Sequence, residues 1–309
     1  MIRIAYDVCD TYDINKKAEG LPVMYTIKQK TGVSATMRRL VKSLLIMLIS
    51  VTLITGNFFD ESVGASGSYV KLNLKVYKNY AKAFKVLELI NEERTKEGLD
   101  PVIMDKSLLK IAMNRAAETV LYWDHTRPSG RDCFTISDIV DGENIGIDIF
   151  SPTYVMNQWM ESSSHKPNIL DPDWVAVGVG CVYVDGIYYW TQCFSSVKTG
   201  KAKKSNYKND FEMTTIKVKD TKKFFAPKYE VSSKKIKKGK KAVISVRWDN
   251  TYTDITIPTE SLKYSTSNKK IASVSSKGII KGLKKGKVKI KVWFDGNKDK
   301  SKTFDIRIK

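Results

Sequence analysis

The run VAVGVGCVYVDGIYYWTQCF, residues 175–194, decides the architecture. Both halves are rich in Val, Ile, Tyr and Phe, and Asp185-Gly186 between them is the two-residue turn signal of a β-hairpin. Pairing Val184 with Ile187 sets a register with Cys181 opposite Trp190 and Gly178 opposite Cys193. Upstream, the period changes. Ala83, Val86, Leu87 and Ile90 recur at helical spacing after Asn79, and Gly98 ends that helix in the position glycine favours. A second helix is expected from about Ser107 to Tyr122, with Leu108, Ile111, Ala112, Ala116, Thr119 and Val120 on one face. Residues 124–148 hold Pro128, Gly130, Gly142 and Gly146 and read as loop. Ser151 then caps a third helix with Pro152 in its first turn; it carries Trp159 and ends near Ser162. Helices flanking a sheet predict an α+β layered domain of about 120 residues.

From Tyr229 the pattern is one of short alternating strands: Ala242 to Val246, Ile271 to Val274 and Val288 to Val292. Gly239, Gly278, Gly282, Gly286 and Gly296 punctuate them, and no stretch has a helical period. An all-β sandwich of about 80 residues follows. Residues 66–81 read as a polar entry segment, and residues 197–228, rich in Lys, Asn, Ser and Thr, as a linker.

The net charge of +20 is localised. Residues 1–197 sum to −2, whereas residues 198–309 hold 32 basic and 10 acidic side chains and sum to +22. Only Arg247 and Arg307 in that part are arginines. Nucleic-acid readout favours arginine forks, so no nucleic-acid partner is expected. Dispersed lysines suit looser attraction to an anionic cell-wall polymer or a membrane surface.

Met37 to Lys42 form a basic n-region, and Ser43 to Thr55 an apolar run of signal-peptide length, short of the roughly 20 residues of a membrane span. Val63-Gly64-Ala65 offers cleavage before Ser66. Residues 37–65 are thus expected to be a signal peptide, leaving a secreted chain with no stable membrane span; an uncleaved anchor is the other reading. Residues 1–36 are expected to be an unstructured extension, or the start lies too far upstream. Cys9 would leave with the leader. Cys181 and Cys193 fall on opposite faces of the hairpin, so a bridge between them needs a bulge. A bridge from Cys133 to either stays open beside three buried free thiols.

The chain has two histidines. His125 lies in Asp124-His125-Thr126-Arg127-Pro128-Ser129-Gly130, and His165 closes Trp159-Met160-Glu161-Ser162-Ser163-Ser164-His165. Between them stands Gly142-Glu143-Asn144-Ile145. Two neutral imidazoles and a carboxylate can bind a divalent cation such as Zn²⁺ with positions left for water. They can equally form an acid–base pair, or simply tie loops together. There is no nucleophile elbow and no HExxH helix.

The ordered set HTRPSG, GENI, WMESSSHKPNIL, VGVG and YYWTQ, preceded by Leu89 to Arg94 and Gly98-Leu99, resembles the CAP superfamily, most closely its bacterial secreted, SCP-like branch. The expected domain is residues 82–196. The resemblance implies a three-layer α-β-α sandwich with a cleft lined by two His and two Glu. His125, Glu143 and His165 match the first three of these, and His125 and His165 are the implied metal ligands. In eukaryotic relatives the fourth stands three residues after the helix tryptophan, which here is Ser162. Glu161 lies one residue earlier, about 100° around the helix. Asn144 and Gln192 match family positions as loop anchors; Trp159, Trp174 and Trp190 read as core or cleft wall. Tyr264 to Asn268, Ile271 to Val274, Gly278 to Leu283 and Gly286 to Ile290 resemble a group 2 bacterial Ig-like domain over residues 229–309. Together these imply a secreted bacterial protein that binds a metal ion, lipid or peptide in the His/Glu cleft and associates with a surface or wall through the Ig-like module. The alternative is a metal-dependent hydrolase of peptide or wall polymer using His125, Glu143 and His165.

Overall fold

The computed structural model describes residues 69–148, 150–249 and 254–309, and the backbone of residues 28–29. The expected signal peptide and Cys9 lie outside the described residues, as does the rest of residues 1–36.

The hairpin forms with the expected register. Strands β5 (Ala176–Val184) and β6 (Ile187–Ser195) pair Val184 with Ile187, Cys181 with Trp190 and Gly178 with Cys193. Asp185 and Gly186 both take positive φ, 46° and 93°, as the tight turn demands. The hairpin sits inside a larger sheet with β1 (Lys28–Gln29), β2 (Tyr69–Lys78), β3 (Ile103–Met104), β4 (Gly142–Asp148) and β7 (Asp210–Lys219). The strand order is β1-β4-β6-β5-β2-β7, with β3 parallel to β5.

Helices α1 (Tyr80–Lys96), α2 (Lys106–Leu121) and α3 (Pro152–Glu161) take their caps from side chains. Asn79 caps α1, Asp105 caps α2 and Ser151 caps α3. Glycines fix where two of them lie. A Cβ on Gly178 or Gly180 would come within 2.1 Å of the Leu108 or Ala112 carbonyl oxygen, so α2 rests directly on β5. A Cβ on Gly146 would meet Val155 and Trp159 at 2.8 and 2.9 Å, so α3 covers β4. Gly178 shares a cross-strand row with Cys193 and Glu143, and Gly146 shares one with Trp190 and Cys181. These rows are three residues apart, hence on opposite faces. Helices therefore cover both sides, giving the three-layer α-β-α arrangement. Cys133, Cys181 and Cys193 are buried free thiols.

Three expectations need correction. The stretch 124–148 is not all loop, because Gly142 to Asp148 is a wholly buried strand. With both faces covered, GENIGID needs no alternation, and its Gly, Glu, Asn and Asp mimic a turn. The entry segment 66–81 is mostly β2 and the start of α1: Val70, Leu72, Leu74 and Val76 point inward between exposed or half-buried Lys and Asn. The linker 197–228 contains β7, which pairs residue for residue with all of β2. Its Thr214, Ile216 and Val218 face inward, while Lys217 stays in water and Lys219 is half-buried.

The C-terminal module is all β. One sheet holds β8 (Pro227–Val231), β10 (Lys241–Asp249), β11 (Asp254–Thr256), β13 (Ala272–Val274) and β14 (Ile279–Gly282). The second runs β12-β15-β16-β9, formed by Leu262–Thr266, Gly286–Phe294, Lys302–Ile308 and Lys235–Ile236. Inward residues such as Ile244, Val246, Ile280, Ile290, Val292 and Ile306 make its core. It is docked on the first module: Trp248 Nε1 donates to the Leu121 carbonyl at 2.9 Å and Ser261 Oγ to that of Asn73 at 2.5 Å. Phe225 packs against Trp248 and Phe294 at the junction, with ring centres 5.6 and 5.2 Å away.

Candidate functional site

Strand β4 presents consecutive side chains to opposite faces of the sheet. Glu143 points to the α2 side and is wholly buried. Arg115 of α2, equally buried, donates from Nε to Glu143 Oε2 at 2.8 Å and from Nη2 to Oε1 at 3.2 Å. The same guanidinium donates to the Asp124 carbonyl, next to His125. His125 Nδ1 lies 2.8 Å from Glu143 Oε1, and its side chain is 15% exposed. Burial alone would raise the Glu143 carboxyl; the Arg115 guanidinium, then His125, outweigh it and hold it below the ordinary carboxylate value. An ionised carboxylate only accepts, so the imidazole proton sits on Nδ1.

The His125 loop is held from several sides. Arg127 forks onto Glu118 of α2 at 2.6 and 2.9 Å, and Glu118 lies 3.7 Å from Arg115. The chain of charges Arg127, Glu118, Arg115 and Glu143 thus alternates in sign and ends on the His125 imidazole. The Lys219 N–H donates to the Pro128 carbonyl at 2.9 Å, and Phe224 lies under Gly130. Gly130 takes φ +75°, which closes the loop.

Asn144 points the other way. Its Nδ2 donates to Gln192 Oε1 at 2.8 Å and to the His165 carbonyl at 3.3 Å, while Asn168 Nδ2 donates to Asn144 Oδ1 at 3.0 Å. This buried amide network anchors the turn before α4 (Lys166–Ile169), which His165 precedes. His165 is buried, and its Nδ1 lies 2.7 Å from Ser162 Oγ. Ser162 therefore stands as partner to the second histidine. Glu161 is exposed and accepts from Gln158 Nε2 at 3.3 Å.

So β4 supports both histidines, His125 through the Glu143 side chain and His165 through Asn144. It does not gather all the expected ligands. Among the described residues, the group whose ligand atoms lie within 4.8 Å of one another is His125, Cys133 and Glu143, and His165 is not in it. By proximity this group could hold a metal ion. Its electrostatics oppose one, because Arg115 already neutralises Glu143. The residues as arranged do not fit a cation well.

Sequence reasoning missed Arg115 and Ser162. A signal existed for Arg115, which follows Leu108 and Ala112 and precedes Thr119 at helical spacing, a charge on the apolar face. Ser162 was visible only as a departure from the family pattern.

Residues 87–194 match the cysteine-rich secretory protein family (CAP), and residues 228–304 match the bacterial Ig-like domain (group 2). The uncharacterized protein YkwD of Bacillus subtilis (strain 168) is 38% identical over 118 residues, covering 36% of this chain and 45% of that protein. The chain thus aligns with less than half the length of this curated relative. Three solved structures are similar. An extracellular protein containing a SCP domain from Bacillus anthracis str. Ames is 18% identical with TM-score 0.31, covering 37% of this chain and 40% of its own. A cysteine-rich secretory protein from Staphylococcus aureus subsp. aureus Mu50 is 21% identical with TM-score 0.32, over 38% and 40%. An outer surface protein from Borrelia burgdorferi is 21% identical with TM-score 0.33, over 42% of this chain and all of its own.

Proposed function

We propose that this chain, which joins a CAP domain to a group 2 bacterial Ig-like domain, is a secreted bacterial protein that binds an extended peptide at the His125–Glu143 edge of its sheet. The Ig-like module holds it at the cell surface or wall. One observation carries the peptide reading. Lys28 and Gln29 pair antiparallel with Glu143 and Gly142, so the backbone edge beside His125 accepts an added strand. Strand addition at such an edge supplies main-chain hydrogen bonds, and neighbouring side chains supply selectivity. His125, held by Glu143 at the partly exposed margin, is the selecting group, with the Ser162–His165 turn on the other side of β4. Export is supported by the description of the first module's family as secretory and by the basic and apolar run at 37–55. Among the described residues no helix is long and apolar enough to cross a membrane.

The hydrolase reading rests on the proximity of His125, Cys133 and Glu143. The Arg115 pairing weighs against it, because Glu143 is neither a free base nor an unshared anionic ligand.

The test uses protein beginning at Ser66. A labelled synthetic peptide of residues 24–34 is titrated beside Zn²⁺ and anionic and neutral lipid vesicles, with amide shifts read by NMR. Saturable peptide binding that shifts Gly142, Glu143 and His125, and weakens in His125→Ala, is expected. Peptide indifference together with tight zinc binding and turnover of a wall peptide would replace this reading with the hydrolase; lipid binding alone would replace it with a lipid carrier.

A further inference from the structure

The outward face of the β12-β15-β16-β9 sheet carries a row of like charges. Pairing sets Lys287 of β15 opposite Arg307 of β16, and Arg307 opposite Lys235 of β9. All three are exposed. Like charges directly opposite each other across strands destabilise a sheet. Lys289 and Lys234 extend the row, and Asp305, opposite Lys289, is the one acid of the group. These residues line an open groove of about 610 Å³.

Elsewhere in this module cations find partners: Arg247 pairs with Glu230 at 2.7 Å and Lys263 with Asp295 at 3.3 Å. Among the described residues, none of the five groove cations has a carboxylate within ion-pair distance. Three adjacent strands space the row over about 10 Å, and the next outward residue lies about 7 Å along each strand. A single small anion cannot meet such a row, but a chain of regularly repeated anions can. Among the described residues no aromatic side chain lines the groove, whereas single-stranded nucleic acid is gripped by stacking on aromatics.

We propose that this groove binds an extended polymer of repeated phosphate groups without aromatic bases, with Lys235, Lys287 and Arg307 as its principal contacts. Lysine serves as a point charge for phosphate, and Arg307 adds a fork. The inference rests on the reading of the Ig-like module as a surface anchor and gives that anchor an address.

The full chain is titrated with labelled long-chain inorganic polyphosphate at several salt concentrations, beside polyglutamate and single-stranded DNA. Lys235→Gln/Lys287→Gln/Arg307→Gln is compared with Lys240→Gln/Lys277→Gln/Lys284→Gln, which removes the same charge from exposed positions outside the groove. Melting curves check that both variants fold. The groove variant is expected to bind polyphosphate at least about tenfold more weakly, with a flatter salt dependence. The control should stay within about twofold of the native chain. Equal weakening in both variants overturns the groove while sparing the surface reading, since diffuse charge then suffices. Tighter binding of polyglutamate overturns the phosphate assignment, and tighter binding of DNA overturns the assignment to a polymer without aromatic bases. A native chain that ignores all three polymers removes both the groove and the surface reading.

Discussion

Replacing Arg115 by Met tests the core of the site. Arg115 and Glu143 are both wholly buried and joined by hydrogen bonds of 2.8 and 3.2 Å. Removing the guanidinium leaves a carboxylate in the interior with His125 as its remaining side-chain partner. Breaking a buried pair in this way costs about 3–5 kcal/mol, a large part of the roughly 5–15 kcal/mol that holds a domain folded. Arg115→Met/Glu143→Leu removes both charges and fills the space with apolar atoms, so it should recover most of the loss, with a coupling of about 2–3 kcal/mol. The pH dependence has a definite sign. In the native chain Glu143 is held below its ordinary value, so its contribution is present above the unfolded pKa and fades as pH falls through the folded one. Without Arg115 the carboxyl rises instead and becomes neutral more easily. The gap between native chain and single variant is therefore widest near neutrality and narrows toward about pH 4. Urea unfolding followed by fluorescence, with calorimetry to separate the two modules, measures it. A single variant less than about 1 kcal/mol below native, or a double variant no better than the single, refutes the reasoning.

Other outcomes follow from the fold. Asp105 accepts from the N–H groups of Ser107, Leu108, Thr199 and Gly200; burial would raise its carboxyl, and the Gly200, Thr199 and Leu108 bonds outweigh this and lower it. Asp105→Asn should cost about 1–3 kcal/mol at neutral pH in urea titrations, a deficit that shrinks as pH falls below about 4. Gly178→Ala drives a Cβ into the Leu108 carbonyl; a thermal shift showing about 2 kcal/mol or more of destabilisation is expected. A chain ending at Val197 lacks β7 and should be poorly soluble and bind a hydrophobic dye, because β2 loses its partner along its full length. Ending at Ala226 should avoid much of that loss.

Much of the fold was legible because it obeys local rules. The Asp185-Gly186 turn fixes a hairpin register by itself, and Asn79 and Ser151 announce their helices. β4 was hidden because a strand covered on both faces sheds the alternation that identifies strands. β2 and β7 were hidden because a half-exposed, lysine-rich pair looks polar until each strand is matched with the other. At the site, motif order pointed to His125, Glu143 and His165 individually. It could not show that Arg115 would already occupy Glu143, or that Cys133 and not His165 would lie beside that carboxylate. Those relations come from a helix, a loop and a strand far apart in sequence, and pairwise geometry among them has no local signature.

The pairing of β2 with β7 has a mechanical consequence. Tyr69 and Lys219 sit opposite each other at one end of that ribbon, with Lys78 and Asp210 at the other. If the Ig-like end is fixed to a surface and tension enters near residue 69, the strands peel apart one rung at a time instead of shearing all at once. The first rungs to open lie beside Lys219, whose N–H steadies the His125 loop through Pro128. Pulling on the tether would thus disturb the site early, before the rest of the sheet gives way.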